Sequence, residues 1–167
     1  MQGVSGAKTY GGILMKKVDT VRFGTIEIDE KKLVHFAQGI PAFEDEHEFV
    51  IIPYDGQSPY VFLQSTTTPE LAFLMTIPYL FFKDYEFEID DATEQVLHLE
   101  SPDDIIVYSL LTIPQGRIED MTANLMAPVI INQRTMDAKQ LVLEKRPYTT
   151  KHRLFSKQAE HAGKEAR

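Results

Sequence analysis

Residues 48–65 read EFVIIPYDGQSPYVFLQS, and this stretch decides the fold class. Two runs rich in β-branched and aromatic residues, 48–53 and 60–65, flank a segment that contains Asp55 and Gly56. Such runs favour β-strands, and an Asp-Gly pair between them is typical of a hairpin. Because the intervening segment is longer than a two-residue turn, we predict a β-hairpin with an extended loop.

Similar apolar runs recur along the chain, and most prolines fall at their ends, where no ladder hydrogen bond is lost. Around Gly24 the alternation of apolar residues changes phase, which predicts a bulge or a turn between two short strands. The other predicted strands are 71–77, 104–113, 122–132 and 140–143.

Helix-forming patterns are scarce. Asp91 followed by Glu94 has the spacing of a capping box, which predicts a helix with Asp91 as its N-cap that runs to about Leu99. Ser101 before Pro102 predicts one further helical turn. We therefore expect a mainly β fold, a compact antiparallel β-barrel-like or sandwich domain with one or two short helices.

The chain has 167 residues, a length that fits one domain. We predict a flexible leader over residues 1–14, a single β domain over 15–155 and a polar, frayed tail over 156–167. Cysteine is absent, so disulfides and cysteine nucleophiles are excluded. The sequence has no run of about 18 apolar residues and no secretory signal pattern. We expect a cytoplasmic protein without a membrane partner.

The net charge of −8 is distributed unevenly along the chain. Residues 44–104 contain fifteen acidic residues and a single base, Lys83, so this segment carries −14. Residues 134–167 carry nine bases and four acids, which makes them +5. An acidic protein repels the phosphate backbone, so we expect no direct binding to nucleic acid. The acidic middle of the chain would instead suit a basic protein partner.

The sequence contains no pattern that predicts catalysis, a metal site or a cofactor. The five histidines are scattered, and residues 45–48 (DEHE) favour a solvated turn, because neighbouring side chains cannot all point at one ion. Nucleophile-elbow, Walker and dinucleotide-binding patterns are absent from the sequence.

Residues 78–91 interleave aromatic and acidic side chains. As a strand, this stretch would turn Tyr85 and Phe87 towards a core and its acids towards solvent. Phe81 and Phe82 would then remain as partly exposed anchors rimmed by carboxylates, a pattern typical of protein interfaces.

Residues 36–44 form a second candidate contact region. Gly39 permits a positive φ and Pro41 fixes the next turn, which predicts a stiff loop. Phe43 would help to plug one end of the barrel, but Glu44 has no such structural role, so we expect it to contact a partner.

The order of these motifs resembles the bacterial flagellar assembly factor FliW over about residues 16–155. Ala37 and Ala42 stand where that family usually has proline and glycine, which predicts a less tightly turned loop. The matching stretches are RFGTIEI (22–28), GIPAFE (39–44), SPYVFLQS (58–65), PELAF (69–73), FFKDYEFE (81–88), TANLMAPVIIN (122–132) and YTTKH (148–152).

The resemblance implies a small β-barrel-like adaptor with no catalytic activity and no cofactor. FliW-like proteins bind the translational repressor CsrA and thereby relieve repression of flagellin messenger RNA. Flagellin competes for the same adaptor, and the family's antagonism of CsrA is allosteric, not competitive with RNA. We expect a monomer in isolation.

From charge and expected exposure, we predict nine partner-binding residues within these motifs. Two alternative functions stay open at this point, a flagellin-specific chaperone without effect on translation and a carboxylate hydrolase or small-ligand barrel. The predicted polar contacts are Glu44, Gln64, Glu70, Asp84, Glu86 and Glu88, and the predicted aromatic anchors are Phe81, Phe82 and Tyr85.

Overall fold

The structure is a computed structural model that describes residues 8–155 of the chain. The predicted tail, 156–167, and the first part of the predicted leader, 1–7, lie outside the described residues. The prediction of a mainly β, barrel-like domain is confirmed: a closed barrel carries a smaller three-stranded sheet against its outer face.

The prediction of a flexible leader is wrong for residues 8–14, because these residues are folded. Strand β1 (Lys8–Tyr10) pairs antiparallel with the start of β2 (Ile13–Thr20). Between them Gly11 and Gly12 have φ values of +56° and +87°. A two-residue hairpin turn of this kind needs positive φ at both positions, so these glycines specify a tight turn.

Seven of the strands among the described residues form the barrel. Besides β1 and β2, the strands of the described residues are β3 (Gly24–Asp29), β4 (Val34–Phe36), β5 (Glu48–Pro53), β6 (Tyr60–Ser65), β7 (Ala72–Thr76), β8 (Ile105–Thr112), β9 (Thr122–Ala123), β10 (Val129–Asn132), β11 (Asp137–Gln140) and β12 (His152–Arg153). The barrel runs in the order β4-β5-β6-β7-β8-β10-β11 and closes back on β4. Neighbouring strands are antiparallel except for β11 and β4, which are parallel.

The predicted hairpin is confirmed, since β5 and β6 pair antiparallel with Val50 opposite Gln64. Strands β7 and β8 lie within one residue of the predicted runs 71–77 and 104–113. The strand predicted at 140–143 is displaced, because β11 already ends at Gln140.

The long strand predicted over 122–132 is wrong, because β9 and β10 are separate. Pro128 cannot donate a backbone hydrogen bond, so the two-way bonding of a regular strand pair ends immediately before β10, although the Pro128 carbonyl still accepts the Leu141 N–H. The side chain of Asn124 accepts a hydrogen bond from the Ala127 N–H at 3.0 Å, which stabilises the turn between the two strands.

Two apolar clusters hold the fold together. One occupies the interior of the barrel and the other lies outside it, between β8–β10 and the segments 81–99 and 141–155. Since the interior is filled, the small-ligand alternative finds no open lumen within residues 8–155. The buried residues of the interior cluster are Val34, Phe36, Ile40, Phe49, Leu63, Met75, Val129, Ile131 and Ala138.

Strands β2 and β3 cover the outer face of the barrel at β5 and β6. Phe23 meets Phe62 edge to face, with ring centroids 5.8 Å apart, and the Arg22 guanidinium lies 4.4 Å from the centre of the Phe62 ring. Val18 is fully buried beneath this sheet. The turn around Gly24 joins β2 to β3, which confirms one of the two interpretations of the phase change.

One α-helix, α1 (Asp91–Val96), occurs among the described residues. Its N-cap is Asp90 and not the predicted Asp91, because the Asp90 carboxylate accepts the Thr93 N–H at 2.8 Å. The predicted turn after Ser101 is confirmed and begins with a capping box. Within residues 8–155, no helix has the length and apolar character needed to cross a bilayer.

Candidate functional site

The structure separates the nine predicted contact residues into two groups at opposite ends of β6. The Ser65 end lies beside two loops, 37–47 and 65–71, which we call the loop surface; it contains Glu44 and Glu70. The Tyr60 end lies beside residues 77–90, which we call the aromatic surface; Phe81 stacks on Tyr60 there, with ring centroids 6.3 Å apart. A six-residue strand spans about 17 Å, so a single small contact does not cover both groups.

A tight turn positions Glu44 on the loop surface. The Ile40 carbonyl accepts the Phe43 N–H at 2.6 Å, and Pro41 and Ala42 occupy the two central positions. Ala42 has a φ of +76°, and the Glu44 carboxylate accepts its N–H at 3.0 Å. The prediction of a looser loop is therefore wrong, since this chain keeps the tight turn with alanine in a conformation that favours glycine.

Glu46, which the sequence did not single out, ties the two loops of the loop surface together. Its carboxylate accepts hydrogen bonds from the hydroxyls of Ser65, Thr67 and Thr68, the last at 2.6 Å. The bond from Ser65 is the main cause that lowers the pKa of Glu46. The signal that could have identified this role is the STTT run (65–68), whose hydroxyls suit a carboxylate acceptor.

The prediction that Gln64 contacts a partner is contradicted by its complete burial. Its side-chain amide donates to the carbonyls of Ser65, Pro69 and Leu71 at 3.1–3.2 Å. Gln64 thus shapes the loop from within. Glu70, on the same loop, is exposed and has no hydrogen-bond or ion-pair partner among the described residues.

The partial exposure predicted for Phe81 and Phe82 agrees with the structure, but two neighbouring residues expose more apolar surface. Phe81 and Phe82 are half-buried, and Phe82 packs edge to face on His152. Larger exposed apolar surface comes from Leu80, at 60%, and Tyr79, at 42%. These two residues follow Pro78 in a 3₁₀ turn, and a proline directly after a strand was the signal that the inward–outward alternation ends there.

The prediction that Tyr85 contacts a partner is also contradicted. Only 5% of this residue is exposed, and its hydroxyl donates to the Leu125 carbonyl at 2.8 Å. Burial raises the pKa of Tyr85. Tyr85 and Phe87 face the outer cluster while Glu86 and Glu88 face solvent, which confirms the predicted alternation. The strand predicted to carry it is not formed, since residues 85–90 pair with no other strand among the described residues.

The basic end of the chain folds back onto part of the acidic segment. Arg134 lies 3.3 Å from Glu100 and 3.5 Å from Asp104, and Arg146 lies 3.7 Å from Glu86. These pairs neutralise some of the −14 segment. The carboxylates of the segment 84–94 that remain without a partner among the described residues are Asp84, Glu88, Asp91 and Glu94.

The comparisons with known proteins agree with this architecture. The family model described as FliW protein matches residues 17–154. Flagellar assembly factors FliW from Bacillus velezensis and Bacillus subtilis are each 43% identical over 135 residues, which is 81% of this chain and 94% of each relative. The one from Moorella thermoacetica is 44% identical over 139 residues, covering 83% of this chain and 88% of its own.

Structural similarity gives the same answer. A solved structure titled crystal structure of the flagellar assembly factor FliW superposes with a TM-score of 0.79 at 40% identity. The match covers 85% of this chain and 99% of that one. The resemblance seen in the motifs is therefore confirmed, and this chain belongs to the FliW family of flagellar assembly factors.

Proposed function

We propose that this protein regulates flagellar assembly by binding the translational repressor CsrA, which relieves repression of flagellin messenger RNA, with flagellin as the competing partner. Membership of the FliW family supports a role in flagellar assembly. The roles of CsrA and flagellin come from the resemblance to FliW-like proteins.

The aromatic surface is the observation that carries this proposal. Leu80 and Tyr79 expose apolar area on a 3₁₀ turn. Asp84 and Glu88, whose carboxylates have no partner among the described residues, follow Leu80 by four and eight residues. An apolar centre with a charged rim is typical of a specific protein interface. The negative rim selects a basic partner over an acidic one.

The same charges explain why such an adaptor would antagonise RNA binding without touching RNA. Carboxylates such as that of Asp84, which has no partner among the described residues, attract a basic repressor through their field and repel a phosphate backbone. A repressor held beside these acids therefore has a lower affinity for RNA. Because flagellin would bind the same adaptor, its free concentration sets how much adaptor is available to CsrA by mass action.

The test is a calorimetric titration of the purified protein against purified CsrA, repeated with flagellin already bound. We expect a saturable complex with CsrA that flagellin displaces. Binding of flagellin with no heat and no co-migration for CsrA would contradict the proposal and favour the chaperone without effect on translation. RNA release is then followed by adding the protein to a preformed complex of CsrA with a flagellin leader transcript.

A further inference from the structure

The segment that begins at Leu141 forms an edge of the barrel sheet, with one side paired and the other side without a partner among the described residues. The N–H groups of Leu141 and Leu143 donate to the carbonyls of Pro128 and Met126 at 2.9 and 2.8 Å, which continues the ladder between β10 and β11. Because backbone groups point alternately to the two sides of a strand, those of Val142 and its second neighbour Glu144 point away from this ladder. Neither residue has a backbone partner among the described residues.

A second extended segment, 86–90, lies opposite this edge. Its side chains alternate, with Phe87 and Ile89 turned inwards and Glu88 turned outwards. Glu88 and Ile89 make no backbone hydrogen bond to the described residues, so the segment resembles a strand without a partner. The phenol of Tyr148 fixes its start, since it accepts the Glu86 N–H at 3.0 Å and donates to the Glu86 carbonyl at 3.1 Å.

A groove of about 480 Å³ lies between these two segments and is lined by residues of both, 88–90 and 142–146. An exposed sheet edge beside an open groove is the arrangement in which proteins bind an extended peptide by adding it as a further strand. The geometry points to this use: the groove takes a short, basic, extended segment of a partner protein, which pairs with the edge Val142–Glu144. The inference rests on the proposed function, because it specifies how the partner protein proposed there is bound.

Charge selects the occupant. The carboxylates of Glu88, Asp90 and Glu144 line the groove, and Asp90 also caps α1 and lies near Lys139. Of the two basic residues in the lining, Arg146 is engaged by Glu86, and Lys145 has no partner among the described residues. Val142 is 53% exposed and offers apolar contact in the middle of the edge. A strand that carries lysine or arginine on alternate positions would place its cations next to these acids, and an acidic strand would be repelled. Of the two proposed partners, the basic repressor is therefore the expected source.

Hydrogen exchange followed by NMR tests the inference on the unmodified protein. In the free protein, the amides of Val142 and Glu144 should exchange rapidly because they have no acceptor among the described residues. In the complex with CsrA we expect their exchange to slow by at least about tenfold, with Leu141 and Leu143 protected in both states. A complex that forms while both edge amides stay unprotected would overturn the strand pairing and leave the proposed function intact.

A pair of variants provides an independent readout. Val142→Pro removes the unpaired N–H without breaking an internal hydrogen bond, and Val142→Thr keeps the N–H and the β-branched shape. We expect Val142→Pro to weaken CsrA binding about three- to tenfold and Val142→Thr to leave it within about twofold. Equal affinities for both variants, or protection of the edge by flagellin alone, would contradict the inference. Failure of the unmodified protein to bind CsrA would instead overturn the proposed function.

Discussion

A β-carbon on Gly39 would lie 2.5 Å from the backbone carbonyl oxygen of Glu44. The loop therefore folds back on itself so closely that only glycine fits, and the φ of +69° at Gly39 adds a second reason. This contact fixes the direction in which Glu44 leaves the tight turn. The position of a predicted contact residue thus depends on a glycine five residues earlier in the chain.

Replacement of Gly39 should therefore destabilise the fold of the loop surface, whether or not Glu44 contacts a partner. We expect Gly39→Ala to lower the free energy of unfolding by about 2–4 kcal/mol through backbone clash and positive φ. Urea denaturation measures the change. The matched control is Gly56→Ala, because Gly56 has open space around its α-carbon. A control variant as destabilised as Gly39→Ala would contradict the explanation.

Ala42 allows the opposite prediction. It holds a φ of +76° at the second central position of a turn that favours glycine. Ala42→Gly should raise the free energy of unfolding by up to about 1 kcal/mol, because relief of the left-handed strain exceeds the added entropy of the unfolded chain. Ala37, in the same loop, lacks a positive φ, so Ala37→Gly should destabilise. Thermal denaturation of both variants tests the difference in sign.

The phenol of Tyr148 gives a prediction about the aromatic surface. Tyr148→Phe removes both hydrogen bonds to the Glu86 backbone, and we expect a loss of about 1 kcal/mol with faster exchange of the Glu86 amide. Tyr54 is a suitable control, since it is 55% exposed and its hydroxyl has no partner among the described residues. If Tyr54→Phe and Tyr148→Phe had equal effects, the hydrogen bonds between Tyr148 and the Glu86 backbone would contribute nothing to stability.

Much of the fold could be predicted from the sequence, because local patterns determine it. Runs such as 48–53 combine β-propensity with clear turn signals, so their strands appear where the residues indicate. The errors arose where distant segments decide burial. Nothing near Gln64 in the sequence shows that its side chain is buried, and nothing near Tyr85 shows that its hydroxyl bonds to the Leu125 carbonyl. Exposure, and hence the choice of contact residues, is a tertiary property.

The distribution of charge over the folded protein was harder still to predict from the sequence, for the same reason. Summed along the chain, residues 44–104 appear uniformly acidic, but Arg134 and Arg146 return from the other end to neutralise part of them. The turn at Gly11 and Gly12 shows the reverse error, since the positive φ values of these two glycines define a hairpin inside the predicted flexible leader. Both cases concern residues whose meaning depends on backbone geometry or on a partner far along the sequence.

His152 predicts how stability changes with pH. Burial lowers its pKa below the ordinary 6.5, and its Nε2 accepts the Thr149 N–H at 2.8 Å, which only the neutral ring can do. The unfolded chain therefore takes up the proton more readily than the folded one. The contribution of His152 to stability is complete above about pH 6.5 and is lost as the pH falls through the lowered pKa.

The measurement compares the free energy of unfolding of the unmodified protein and of His152→Gln between about pH 5 and pH 7.5. We expect the difference between the two proteins to shrink as the pH falls. A constant difference for His152→Gln would mean that its effect is packing and not protonation.

Charge reversal on the two surfaces decides which of them meets the repressor. Asp84 on the aromatic surface and Glu70 on the loop surface are both exposed carboxylates without a partner among the described residues. Changing either to lysine alters the net charge equally, so any difference reflects position. We expect Asp84→Lys to weaken CsrA binding about tenfold at low salt, and Glu70→Lys to act less, because local repulsion adds to the shared long-range term.

Added salt separates the long-range effect of the changed net charge from the local repulsion at the contact. At an ionic strength of about 0.15 M the screening length is about 8 Å, so the effect shared by both variants should shrink strongly. A carboxylate buried against the partner is screened much less, so the loss caused by Asp84→Lys should persist in part. If only Glu70→Lys weakened binding, the repressor would have to dock at the Ser65 end of β6. The apolar turn at Leu80 would then lie about 17 Å from the contact and could not anchor it.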